Sequence, residues 1–231
     1  MTAPERLSRT AASTAVEALG WRYVLGSLDA VVPVASIAEA ATLAGAVVTA
    51  CGADADEHLR LDVRPDRLAV AVRTRRLGGV TAEDVELVRT VTEVLTARGA
   101  TIAGASSALL SRPVQTLELA VDALDIPAVR PFWQAVLALE DDPADPGPAG
   151  SLRDPAGQLP TIWFQQMDAP RPERNRIHLD IAVSHDEGPA RVRAALDAGG
   201  RLLSDEAARA FWVLADVEGN EVCVCTWQDR D

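Results

Sequence analysis

Strict alternation marks residues 67–73, where Leu68, Val70 and Val72 fall on one side and Arg67, Ala69, Ala71 and Arg73 on the other. A period of two is the signature of a half-buried strand. Residues 59–63 form a second such run, and Arg64-Pro65-Asp66 between them predicts a hairpin. Upstream, 5–19 reads as a helix ending at Gly20, followed by extended runs at 21–25 and 30–34. Ser36 is placed to cap a helix reaching about residue 50, with Ile37, Leu43, Val47 and Val48 among its apolar positions. After the Gly78-Gly79 break, Thr81-x-x-Asp84 forms a capping box that opens a helix to about residue 98. Its buried stripe is Val85, Val88, Val91, Val94 and Leu95. These elements predict an antiparallel sheet with helices on one face.

The pattern loses its period at 99–114, where glycine and serine accumulate, so a linker is expected there. Beyond it an order of elements occurs twice. Strand 117–122, helix 127–139 and strand 161–167 are followed by strand 176–183, helix 188–198 and strands 210–215 and 221–226. The echo predicts two βαβββ modules joined through 168–175, with a Pro/Gly/Asp loop at 141–150. The fold class is therefore α+β, with domains at 1–98 and 115–231.

Composition narrows the function. Hydrophobic residues at 48% and charged residues at 24% exclude wholesale disorder. The net charge is −12, and all 22 basic residues are arginine. Residues 1–110 carry 11 arginines against 13 acids (net −2), and 111–231 carry 11 against 21 (net −10). Neither half offers a basic face, so nucleic acid and anionic membrane are not expected partners. No apolar run suggests a signal peptide or a spanning helix, and three cysteines fit a reducing compartment, so a cytoplasmic chain is expected. Walker loops, dinucleotide fingerprints, Gly-x-Ser-x-Gly and zinc-ribbon cysteine pairs are absent.

The strands of the second half oppose apolar faces to mixed ones. Leu119 and Val121 lie opposite Glu118, Ala120 and Asp122; Ile162 and Phe164 lie opposite Trp163 and Gln165. Ile177, Leu179 and Ile181 lie opposite His178 and Asp180, and Val222 and Val224 lie opposite Glu221, Cys223 and Cys225. Sheets of this kind either turn the mixed face to solvent or enclose a wet pocket. Trp163, Cys223 and Cys225 favour shelter, and hence a pocket for a small organic ligand.

Asn175-Arg176-Ile177-His178-Leu179-Asp180, together with Phe211–Val224 and its Asp216-Val217-Glu218-Gly219-Asn220-Glu221 run, resembles the glyoxalase-like branch of the vicinal oxygen chelate superfamily. Asp125 and Phe132-Trp133 match its first module, and the resemblance covers most of 115–228. In metal-using members one residue from each of four strands chelates a divalent ion, which acts as a Lewis acid. Those positions fall here at Glu118, Gln165 (Gln166 if the register slips), His178 and Cys223. Only His178 keeps its residue type, so no metal or other cofactor is expected. The ligand-binding residues that the resemblance implies are Trp163, Gln165, His178, Asp180, Trp212 and Cys223, with Trp163 and Trp212 as platforms. His178 or Glu118 would be the acid–base group if chemistry occurs, as a lyase, isomerase or dioxygenase.

Residues 5–98 resemble the pterin-4a-carbinolamine dehydratase family through Gly20-Trp21, the hairpin, Thr74 and Gly79-Val80-Thr81-x-x-Asp84. That family dehydrates a 4a-hydroxytetrahydropterin with imidazoles from a His-His-Pro triplet and a Thr-His pair. The corresponding positions read Glu57-His58-Leu59 and Thr74-Arg75. Arginine stays protonated, so Arg75 can bind charge but cannot serve as the base. Two readings follow: a degenerate domain kept for assembly or binding, or a dehydratase running on His58 with Glu57. Asp54-Ala55-Asp56-Glu57-His58 reads as a solvated acidic turn and not a metal loop. Asp84 is expected to act as a helix cap and His58 to lie partly exposed at the hairpin edge. Self-association as a homodimer is expected from the resemblance.

Overall fold

In the computed structural model, which describes residues 5–103, 115–171, 173, 177 and 179–229, the chain divides into two compact units, 1–116 and 117–231. The alternation seen in the sequence becomes an N-terminal sheet of four antiparallel strands. These are β1 (Arg22–Val24), β2 (Ser27–Pro33), β3 (Leu59–Val63) and β4 (Arg67–Val72), in the order β1-β2-β4-β3. Leu28, Ala30 and Val32 of β2 lie opposite Val72, Val70 and Leu68 of β4, and all six are buried. Helices α1 (Arg9–Glu17), α2 (Ile37–Cys51) and α4 (Ala82–Ala97) complete that core, with a single turn, α3 (Ala55–His58), before β3.

Caps fix where these helices start. Ser8 accepts the Ala11 amide, and Ser36 accepts the Glu39 amide while the Glu39 carboxylate accepts the Ala35 amide. Trp21 is fully buried, and its indole N–H donates to Thr92 Oγ1 at 3.0 Å.

Two expectations change. The region read as a linker at 99–114 starts inside the fold: Ala100 and Ile102 pack on the core, and Ala103 pairs with Val31; residues 104–114 lie outside the described residues. The helical run Ile37–His58, with mean hydropathy 1.3, is long and apolar enough to cross a membrane by length and composition. The run exceeds the helix expected to about residue 50 because a 3-10 turn at Gly52–Asp54 and α3 continue it to His58. The inner side of this run, through Ala40, Leu43, Ala44, Val47 and Cys51, is part of the N-terminal core.

The C-terminal unit contains the two modules. The first comprises β5 (Glu118–Ala123), α5 (Ile126–Leu137), β6 (Glu140–Asp141), β7 (Leu152–Arg153) and β8 (Thr161–Gln166). The second comprises β9 (Asp180–Ala182), α6 (Gly188–Asp197), β10 (Arg201–Ser204), β11 (Phe211–Ala215) and β12 (Glu221–Cys225). Each sheet pairs its first strand parallel to its last and the remainder antiparallel, giving β5-β8-β7-β6 and β9-β12-β11-β10. The short β6 and β7 and the strand β10 carried too little alternation to be read beforehand. The strand expected over 176–183 is described only as β9, with residues 176 and 178 outside the described residues.

A buried carboxylate latches the modules together. Asp216, fully buried, accepts the Trp133 indole N–H at 3.0 Å, the Asn220 side-chain amide at 2.8 Å, and the backbone N–H groups of Glu218 and Asn220. Glu218 accepts the amides of Leu124 and Asp125 at the start of α5. Negative charge there matches the positive end of the helix. The Asn220 side-chain amide also reaches the Asp122 carbonyl. Gly200 lets α5 come close, because any side chain at that position would run into the Phe132 ring.

Trp133→Phe keeps most of the packing but removes one donor from a buried carboxylate. It should lower the stability of the C-terminal unit by about 1–3 kcal/mol, read by calorimetry. On the helix-free side of the N-terminal sheet, burial raises the Asp29 carboxyl to about 6 against the opposing pull of Arg60, Ser27 and Arg73. The stability linked to this group is full below its unfolded value near 4 and is lost as pH rises through about 6. Asp29→Asn should therefore stabilise the N-terminal unit at pH 7–8 by on the order of 1–3 kcal/mol. Melting curves should show that gain vanishing near pH 4.

Candidate functional site

The C-terminal cavity lies beside β5 and the residues that lead into β9. Both β5 and β9 are outermost strands. Along the β5 edge lies a cavity of about 490 Å³, walled by Leu119, Val121, Trp133, Ile177 and Leu179 on its apolar side. Ala120, Asp122, Arg171, Glu173, Asn220 and Glu221 complete the lining. Arg171 pairs with Asp122 at 2.7 Å. Asn220 and Trp133 belong to the Asp216 latch, so that latch also sets the cavity floor.

Strand register assigns each expected residue to a face. Ala120 stands opposite Trp163 and Asp122 opposite Gln165, so these four share the helix-free face, where Trp163 is 36% exposed. Glu118 is exposed opposite Thr161. It lies four residues from the Asp122–Gln165 pair, about 13 Å along the strand. Gln166 points the other way and donates to the Leu124 and Met167 carbonyls, so the register does not slip.

In the second sheet Asp180 pairs with Cys223 on the helix-free face. Cys223 is buried, and burial, with the nearby charges of Asp180, Cys225 and Glu221, pushes its thiol up to about 12. His178 lies outside the described residues.

Trp212 is on the opposite side from its expected position. It pairs with Val224, shares a face with the Leu214–Val222 pair, and packs into the core against Gly188 at the start of α6. The antiparallel register puts Phe211, Val213 and Ala215 on the Cys223 face instead. Trp212 is thus a packing residue.

The described members of the chelate set do not come together. Glu118 and Gln165 occupy one sheet and Cys223 the other, and among the described residues no three His, Cys, Asp or Glu side chains are grouped to hold a metal ion. Glu118 and Gln165 stand four register positions apart, about 13 Å along their sheet, and so do not reach one divalent ion together.

In the N-terminal unit His58 meets Asp84, and Glu57 and Arg75 bond to backbone beside it. His58, read as partly exposed, is 6% exposed, and its Nδ1 lies 2.7 Å from Oδ1 of the fully buried Asp84. The other oxygen of Asp84 accepts the Thr81 amide at 2.7 Å, the Thr74 hydroxyl at 2.8 Å and the Thr74 amide at 3.1 Å. An ionised carboxylate only accepts, so the proton of neutral His58 sits on Nδ1 and its Nε2 lone pair is left available. That Nε2 meets no hydrogen-bond partner among the described residues and is not sealed from water. Asp84 is therefore more than the expected cap.

Arg75 donates to the Leu59 carbonyl at 2.6 Å and Glu57 accepts the Arg76 amide at 3.0 Å, which ties the turn after β4 to the segment around His58. The Thr81-x-x-Asp84 spacing showed the cap; nothing in the spacing of residues 58 and 84 showed the imidazole contact.

Residues 118–225 match the family model of the glyoxalase-like domain. Similar solved structures include a glyoxalase/bleomycin resistance protein/dioxygenase family enzyme from Burkholderia phytofirmans PsJN, 19% identical. The match covers 47% of this chain and 95% of that one, with a TM-score of 0.39. A glyoxalase/bleomycin resistance protein from Albidiferax ferrireducens T118 is 20% identical over 47% of this chain and 95% of that one, with a TM-score of 0.37. A fosfomycin resistance protein from Mesorhizobium loti is 8% identical over 48% and 90%, with a TM-score of 0.38. No curated protein matches the chain. The glyoxalase-like domain thus coincides with the paired modules and leaves the N-terminal unit outside the match.

Proposed function

We propose that the C-terminal unit binds a small organic molecule at the β5 edge. The cavity itself carries this reading: about 490 Å³ lies within the ~300–1,000 Å³ usual for small-molecule sites, with mainly apolar walls and a few polar groups. The ligand that fits has an apolar body against Leu119, Val121 and Ile177 and a polar group facing the Asp122–Arg171 pair. Ala120 and Asp122 line the cavity and neighbour Trp163 and Gln165 across the strand, so a flat ligand passing over the β5 edge would stack on Trp163. Asp122 is already paired with Arg171 at the cavity wall, and the reading favoured is binding or sequestration.

A second reading rests on one observation, the His58–Asp84 pair with its available Nε2. The N-terminal unit then moves protons, and the 4a-hydroxytetrahydropterin dehydration implied by its sequence resemblance is the reaction to test. His58 Nε2 would hold or deliver the proton, Asp84 would fix its tautomer, and Arg75 would supply charge without exchanging a proton.

Native mass spectrometry of the purified chain, mixed with a library of heteroaromatic compounds, should detect one-to-one complexes. Ala120→Trp, which fills the cavity from an exposed position, should weaken each such complex at least tenfold without changing the melting profile. Unaltered binding in both Ala120→Trp and Trp163→Ala would remove the cavity from consideration. For the second reading, stopped-flow dehydration of a 4a-hydroxytetrahydropterin should show turnover that falls about 10²-fold or more in His58→Ala. A rate equal to the uncatalysed one in the parent chain discards it.

A further inference from the structure

The charged groups around the β5 edge are mostly acidic. Among the described residues that line the cavity, Asp122, Glu173 and Glu221 stand against one guanidinium, Arg171. Residues 111–231 carry 21 acids against 11 arginines, so the field of this half attracts cations and repels anions. Arg171 is already paired with Asp122, and Arg153 on β7 of the same sheet is paired with Glu140 at 2.8 Å.

Trp163 adds an aromatic platform to this acidic surround. It stands opposite Ala120 on the helix-free face, and the Ala120 methyl group is too short to cover the indole. Glu118 and Asp122 lie two residues to either side of Ala120 on that same face. Such diagonal neighbours are about 7–8 Å apart, within reach of aromatic and long side chains. The indole, partly exposed, therefore lies between two carboxylates. Glu118 is exposed and meets no opposite charge among the described residues. An indole face attracts a cation through its quadrupole, and a carboxylate beside it strengthens the attraction.

Building on the cavity as a ligand site, we infer that its ligand is an organic cation. An amine or quaternary ammonium group rests on Trp163 beside Glu118, while the apolar body of the same molecule lies against Leu119, Val121 and Ile177. An anionic ligand is the poorer occupant. Its charge would meet Glu173 and Glu221, with Arg171 already engaged by Asp122.

Isothermal titration calorimetry of the full chain tests this with three naphthalene probes that differ in charge. They are (2-naphthylmethyl)trimethylammonium, 2-naphthalenemethanol and 2-naphthylacetate. The ammonium should bind about tenfold more tightly than the alcohol, and the acetate more weakly than either. Added salt should narrow the preference. Glu118→Gln keeps the size of the side chain and should reduce the ammonium-to-alcohol ratio about threefold. Trp163→Leu should reduce it by a similar factor. Equal affinities for ammonium and alcohol, or tightest binding of the acetate, overturn the cation assignment and leave the cavity standing as a site. A ratio unaltered in both variants overturns the assignment as well. A chain that binds none of the three probes overturns the cavity reading and the cation assignment together.

Discussion

The C-terminal unit depends on the buried carboxylate of Asp216. Four donors converge on it, one from the α5 tryptophan and three from its own turn, so a single anion fixes the turn and holds the first module against the second. An ionised side chain withdrawn from water is tolerated only when its acceptor capacity is filled, and here it is. Glu218 extends the same latch to the start of α5 and Asn220 extends it to the β5 backbone. Because Trp133 and Asn220 are also cavity walls, the contact that joins the modules sets the floor of the binding site.

The N-terminal unit uses a carboxylate in the same economical way. Asp84 closes the capping box of α4, accepts from Thr74 across the turn after β4, and orients His58. A helix cap needs one oxygen, and the second oxygen is what gives the imidazole a defined tautomer. Arg75 and Glu57 bond to backbone nearby and tie the turn after β4 to the segment around His58. Along α2 the inner stripe packs into the N-terminal core, while Ile37 and Val48 on the outer side are exposed.

Much of the architecture was legible without coordinates. Period-two alternation located β4 and β5, and Ser36 and Thr81 marked two helix starts correctly because capping is a local interaction. The repeated order of strand and helix foretold the paired modules. Strands of two residues, such as β6 and β7, have no period to detect, and their existence depends on the neighbour that pairs with them.

The sequence by itself settled which positions are apolar, where the helices are capped, and that the second half repeats a unit, since each of these is encoded within a few neighbouring residues. Tertiary structure alone decided that Trp212 faces the core, that β5 is an edge strand with a cavity beside it, and that Asp84 reaches an imidazole 26 positions away. The reason is physical: alternation tells two faces of a strand apart without saying which one will be covered. Strand order and register, set by contacts between residues far apart in the chain, make that choice.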